Sequence, residues 1–371
     1  MANAGKITTV TIIGAGSGGF GLLIHLGRAG YRVRLHDLDD QRLEAIRDHG
    51  GVDVENGAQS FVPVELATVD LRASVGGADL IIVVTGGNTH ATVAHALAPL
   101  LCDGQIILLI QGNTGGSLIV RQALQRAGCR ATIDVAEMDT YPYATARPTP
   151  TRARLVTQKR WLQIAAFPGN RGSAVMEHLR PLFPDAVLAP NILYTGLTNM
   201  NAVLHVANCL SNAGRIESGG AFKFYAEGVT PAVVNLYNAL DVERLAIATQ
   251  LGATTPSLAE WIHLAYGIKE ATLPETFHRL TYDPQGAYQN TPSPTSLAHK
   301  YISEDVPTGL IPIRDLGAAS GVATPTLDAL IHLACLSAGH DFVAEARTLD
   351  RLGLAGQDAA QIQATVRYGF A

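Results

Sequence analysis

An apolar, β-branched run, Ile7–Ile13, leads directly into Gly14-Ala15-Gly16-Ser17-Gly18-Gly19, and an amphipathic stretch, Phe20–Ala29, follows. Few local patterns restrict a fold so tightly. Gly14 permits a tight turn, Gly16 lets backbone approach a pyrophosphate, and Gly19 allows a helix to pack closely on a strand. The helix that starts at Ser17 and Gly18 offers free N–H groups and the positive end of its dipole to phosphates. A second β-branched run, Arg32–Leu35, ends just before an acidic residue, Asp37. Its carboxylate is placed to accept hydrogen bonds from ribose hydroxyls, which favours NAD(H) over NADP(H). Arg42 lies close enough in sequence to pair with a 2′-phosphate, so NADP(H) stays open.

The alternation continues. Leu80–Val84 and Ile106–Ile110 are strand-sized, and His90–Leu100 and Ser117–Ala127 have helical spacing. Strands separated by such helices imply βαβ units and a parallel sheet, hence an α/β Rossmann domain. The Gly-rich segments after two of these strands, Thr85–Asn88 and Gln111–Gly116, fall where open α/β sheets bind ligands. Thr85 is a candidate cofactor contact; Gln111 and Thr114 are candidate substrate contacts. Tyr141–Arg154, rich in Pro, Thr and Arg, breaks the pattern. From about residue 191 strand signals fade and 3.6-residue periodicity takes over, as in Leu193–Arg215, Thr230–Gln250 and Thr324–Ala338. The expected organisation is a dinucleotide-binding domain over residues 1–190 and an all-α substrate and catalytic domain over 191–371.

With 371 residues, two domains fit the length. Charged residues make up 16% and hydrophobic ones 47%, which excludes disorder. A net charge of -5 argues against nucleic acid or an anionic membrane as partner. No uninterrupted apolar run reaches about 18 residues, so no membrane span is expected. Met1–Thr9 lacks the apolar core of a secretory signal. Cys102, Cys129, Cys209 and Cys335 form no C-x-x-C pair and read as reduced core residues of a cytoplasmic protein.

Thr198, Asn201, His205, Asn208 and Asn212 are spaced alternately three and four residues apart, along one face of a helix. The only side chain within Thr195–Gly214 that takes a charge near neutral pH is His205, so this helix should be mostly buried. Buried amides need hydrogen-bond partners, and a wet cleft between domains would supply them. His205 is then the candidate general acid and base, since imidazole titrates near neutrality. A carboxylate should fix its tautomer; Asp305 and Glu304 both qualify, and spacing alone does not choose between them.

Several stretches together resemble the opine dehydrogenase family, which includes octopine, nopaline and N-(1-carboxyethyl)-amino-acid dehydrogenases. They are Thr198–His205, Asn212–Ser218, Phe224–Pro231, Asp241–Arg244, Tyr301–Leu310 and Thr324–Ala329. With the glycine fingerprint, the resemblance spans nearly the whole chain. It implies an NAD(P)H-dependent reductive condensation of an amino acid or related amine with a 2-oxo acid such as pyruvate, and a homodimer. It assigns the catalytic pair to His205 and Asp305. It also implies that Asn201 and Arg147 contact substrate, Arg147 by pairing with a carboxylate. Gln111 and Asn208 depart from the family pattern and point to an altered substrate pocket. Two other functions would suit the same plan. A hydroxy-acid or polyol-phosphate dehydrogenase would place a Lys on the helix after the boundary, and Thr195–Gly214 has none. A dinucleotide-binding sensor would bind cofactor without turnover.

Overall fold

The computed structural model describes residues 6–57, 60–282 and 288–370. The first five residues, part of the stretch read above for a secretory signal, lie outside them. The chain forms two compact units. One runs to Gly112 and resumes over Gly116–Asn191; the other takes Asn113–Gly115 and the chain from Ile192 onward.

The first unit contains twelve strands among the described residues: β1 (Thr9–Ile13), β2 (Arg32–His36), β3 (Gly51–Val54), β4 (Phe61–Pro63), β5 (Leu66–Thr68), β6 (Leu80–Val83), β7 (Ile106–Leu109), β8 (Asp134–Met138), β9 (Tyr143–Thr149), β10 (Arg152–Gln158), β11 (Leu162–Phe167) and β12 (Ala186–Leu188). Eight form one sheet in the order β12-β11-β8-β7-β6-β1-β2-β5. From β8 to β5 all neighbours are parallel, and β11 joins β8 antiparallel. The order reverses beside β1, between β2 and β6, which is where such sheets open a ligand crevice. Every residue of β1, β6 and β7 is buried. Layers cover both faces, so these strands read as unbroken apolar runs. The two threonines of β1 are satisfied in place: Thr11 donates to the Ser74 carbonyl at 2.5 Å, and Thr9 accepts from Arg32 at 2.6 Å.

The other four strands form a smaller sheet, β4-β3-β10-β9, whose edge strand β9 packs on the helix Ser17–Arg28. The Pro- and Arg-rich stretch Tyr141–Arg154 is thus not irregular. It supplies β9 and the start of β10, half-exposed strands whose polar side chains hide the usual apolar signal.

The second unit is helical. Its longest helix, Pro231–Gln250, starts as its sequence indicates: the Thr230 hydroxyl accepts from Val233 N–H at 3.5 Å, and Pro231 takes the first position. Thr324 and Gly339 flank the helix Pro325–Ala338, again with Pro at the first position, but here the Thr324 hydroxyl donates to Asp328 Oδ2 at 3.5 Å and caps no backbone N–H. The single helix expected over Leu193–Arg215 is instead three: Ile192–Leu197, Met200–Ser211 and Ala213–Glu217. At the first break, the Thr198 hydroxyl takes the Tyr194 carbonyl at 2.7 Å and Arg244 Nη1 takes the Leu197 carbonyl at 2.6 Å. Those carbonyls would otherwise accept from the next helical turn.

Among the described residues no helix is long and apolar enough to cross a membrane. All four cysteines are free, but only Cys209 is buried; Cys102 is exposed, which corrects its placement in the core.

Candidate active site

In the first unit, Gly14 leaves β1 at φ 115°, and its N–H donates to the His36 carbonyl at 2.8 Å. A Cβ here would sit 2.8 Å from the Val84 carbonyl oxygen, and one on Gly19 would sit 1.9 Å from that of Gly14. Only glycine allows this approach. Above Gly16, in contrast, a Cβ would meet nothing within 4 Å. Open space beside the N-terminus of Ser17–Arg28 is what a pyrophosphate needs, so the turn fits a dinucleotide. Gly18 lies against the Tyr141 ring. Asp37 stands at the end of β2. Its Oδ2 accepts from Ala15 N–H at 2.7 Å and its Oδ1 from Asp39 N–H at 3.0 Å. Arg42 lies 3.8 Å from Asp37 and 2.9 Å from Asp39. Thr85 follows β6 and accepts from the Thr89 hydroxyl at 2.7 Å.

The loop after β7 is strained. Gln111 has φ 62° and Asn113 φ 55°, left-handed values that side chains other than glycine's disfavour. Gln111 is buried at its end of the loop. Asn113 and Thr114 belong to the second unit and are anchored there. Asn113 Nδ2 donates to the Thr308 hydroxyl at 2.9 Å, and Thr114 N–H to the Thr308 carbonyl at 3.0 Å. The Thr114 hydroxyl donates to the Gly196 carbonyl at 2.9 Å.

His205 lies midway along Met200–Ser211. Its Nδ1 is 2.7 Å from Asp305 Oδ2, and both side chains are buried. Asp305 precedes a π-helical turn, Val306–Leu310, a distortion often found at functional sites. Of the two acidic candidates, Asp305 reaches the imidazole, while Glu304 Oε1 accepts from Asn113 at 3.3 Å. With Nδ1 engaged, Nε2 is the ring nitrogen that could exchange protons with a bound molecule. Tyr301 stacks on the imidazole with ring centres 3.8 Å apart and 23° between planes. Phe224 and Tyr225 flank it at 6.3 and 6.4 Å. Burial pushes the Tyr225 phenol well above its ordinary range, and burial together with Asp305 does so for Tyr301. Both stay neutral beside the imidazole.

The amide stripe divides. Asn201, one turn before His205, is half-buried. Asn208 and Asn212 do not face a wet cleft. Asn208 donates to the Phe224 carbonyl at 2.8 Å, and Asn212 Nδ2 lies 3.0 Å from Asn208 Oδ1 and from the Gly228 carbonyl. They tie the helix to the segment carrying Phe224 and Tyr225, so the departure at Asn208 is accounted for by internal hydrogen bonds. Arg147, expected at a substrate carboxylate, lies in β9 and donates to the Ala15 carbonyl of the glycine turn at 2.6 Å. Sequence reasoning assigned no role to Tyr301, Phe224 or Tyr225. The available signal was aromatics within the family-like stretches of a chain with only 6% aromatic residues. No cluster of three or more potential metal ligands occurs among the described residues.

Residues 188–337 match the family model of NAD/NADP octopine/nopaline dehydrogenase, alpha-helical domain, and residues 10–137 match that of ketopantoate reductase PanE/ApbA. The chain is 35% identical to an opine dehydrogenase of Arthrobacter sp. (strain 1C) over 359 residues, covering 96% of this chain and 98% of the relative. Octopine dehydrogenase solved with NADH and agmatine superposes with a TM-score of 0.76 at 21% identity, covering 97% of this chain and 98% of the other. Yersinopine dehydrogenase with NADP+ bound superposes at 0.72 and 19% identity, covering 98% of each. The expected pairing of a Rossmann unit with an all-α unit is borne out.

Proposed function

This chain belongs to the opine dehydrogenase family and is an NAD(P)-dependent oxidoreductase of that type, and from that premise we propose that His205, held by Asp305, moves the protons of a reductive condensation between an amino acid and a 2-oxo acid such as pyruvate. The 2.7 Å contact between His205 Nδ1 and Asp305 carries this assignment. Bound NAD(P)H supplies the hydride.

The chain's own residues account for the rest. His205 Nε2 takes a proton from the ammonium of the amino acid, freeing the amine to attack the oxo carbon. The imidazolium returns that proton to the carbinolamine hydroxyl, which leaves as water. Loss of water leaves the protonated imine, and after hydride reduces it the neutral secondary amine takes up one proton from solvent through His205. Asp305 stabilises each imidazolium and fixes the ring. Gly14, Gly16, Ser17, Gly18 and Gly19 cradle the pyrophosphate, and Asp37 accepts from the ribose hydroxyls, which favours NAD(H). Thr85 contacts the cofactor in this reading, and Asn201, Gln111 and Thr114 are each assigned to the substrate. Solved octopine dehydrogenases with L-arginine and with pyruvate support the substrate classes. The enzyme works as a cytoplasmic homodimer, a state that sedimentation checks directly.

Loss of NADH absorbance is the test, with oxo acid alone, amino acid alone, and both. Oxidation should need both substrates. Oxidation with the oxo acid alone would indicate a hydroxy-acid dehydrogenase, and none with any pair would indicate a sensor.

A further inference from the structure

We propose that Arg147 is a cationic anchor for the phosphates of the dinucleotide and not a partner of the substrate carboxylate. The proposal rests on the dinucleotide-binding role given above to the glycine turn. Arg147 reaches that turn from β9, on the smaller sheet. Its guanidinium lies 3.6 Å over the centre of the Phe20 ring, and Nη1 donates to the Ala15 carbonyl at 2.6 Å. The N–H of Ala15 donates in turn to Asp37 at 2.7 Å. One residue of the turn therefore links the ribose-side carboxylate to this cation.

The guanidinium has donors to spare. It carries five N–H bonds in a rigid fork. One goes to Ala15, another reaches the Pro150 carbonyl at a long 3.4 Å, and Nε is buried with no hydrogen-bond partner among the described residues. Asp37 accepts from two backbone N–H groups and is faced by Arg42; its charge acts on Arg147, but it accepts no hydrogen bond from the guanidinium. Stacking on Phe20 fixes the fork against a turn whose N–H groups and helix dipole already select an anion. A planar fork held in that place matches phosphate oxygens. A substrate carboxylate bound there would compete with the pyrophosphate for the same turn. Two phosphates qualify, the pyrophosphate common to both dinucleotides and the 2′-phosphate of NADP(H) alone.

The test is dinucleotide binding by the full chain, read by fluorescence titration without substrates, for Arg147→Ala, Arg147→Gln and Arg147→Lys. Glutamine keeps a donor for the Ala15 carbonyl but removes the charge. Affinity for NADPH, and for NADH if the pyrophosphate is the group held, should fall about 10- to 100-fold in the Ala and Gln variants and recover in part with Lys. The melting temperature of the ligand-free Gln variant and KM for the oxo acid should hold. Equal losses for NADH and NADPH identify the pyrophosphate; a loss confined to NADPH identifies the 2′-phosphate. Unchanged affinity for both with a raised KM for the oxo acid overturns the proposal. So do equal losses in all three variants with lowered ligand-free melting temperatures, which mark a structural clamp. If the unaltered chain binds neither dinucleotide, the cofactor role of the turn fails, and this proposal with it.

Discussion

His205 has a carboxylate on one side, an aromatic face on another, and a single nitrogen left for exchange. Replacing it by Ala removes the group proposed to shuttle protons while leaving the glycine turn untouched. Turnover should fall by about 10²–10⁴-fold, with NADH affinity unchanged in a fluorescence titration; retained turnover would take His205 out of the mechanism. His205 was visible in the sequence because it was the one group able to charge near neutral pH on a long uncharged segment. Its partner was not, since Asp305 and Glu304 are adjacent. Only the local winding of the chain sends one to the imidazole and the other to Asn113, and family resemblance was needed to choose between them. The stacked Tyr301 went unassigned because an aromatic residue is equally at home in any core.

At the level of elements, the motif Asp241-Val242-Glu243-Arg244 shows how a short sequence can brace several helices. Asp241 accepts from Leu258 N–H at 2.8 Å, at the start of the helix Leu258–Tyr266. Glu243 accepts from the N–H groups of Thr326 and Leu327 at 2.7 and 3.0 Å, at the start of Pro325–Ala338. Arg244 pairs with Asp241 and holds the Leu197 carbonyl, where the chain breaks before the His205 helix. Arg244→Met strands a buried carboxylate and that carbonyl, and should cost about 3–5 kcal/mol by chemical denaturation. A cost below 1 kcal/mol would mean the break forms without it. No helical pattern could have revealed this break, because residues 193–215 keep their spacing throughout and the interrupting guanidinium comes from 47 residues away. The parallel strands were legible for the opposite reason: burial on both faces leaves a contiguous apolar run. The half-exposed strands of the smaller sheet lack that signature.

Across the whole molecule, pH acts through groups that the fold holds away from their ordinary ionisation. Burial lowers the pKa of His25 and of His36 from 6.5, outweighing their bonds to the Leu182 and Thr68 carbonyls. The unfolded chain therefore binds protons first as pH falls. The stability these rings contribute is present above pH 6.5 and is lost as pH drops through their lower folded values. The melting temperature should decline from pH 7 to pH 5, and less steeply in a His25→Gln, His36→Gln variant; parallel slopes would assign the acid sensitivity elsewhere. Scarcity of aromatic residues offers a way to see which part gives way. The chain has only two tryptophans. Trp161, half-buried, precedes β11 in the first unit, and Trp261, 2% exposed, lies in the second. Each unit thus carries its own intrinsic fluorophore, one in a wetter setting and one in a drier. Replacing either tryptophan by phenylalanine leaves an emission band that reports the melting of one unit alone.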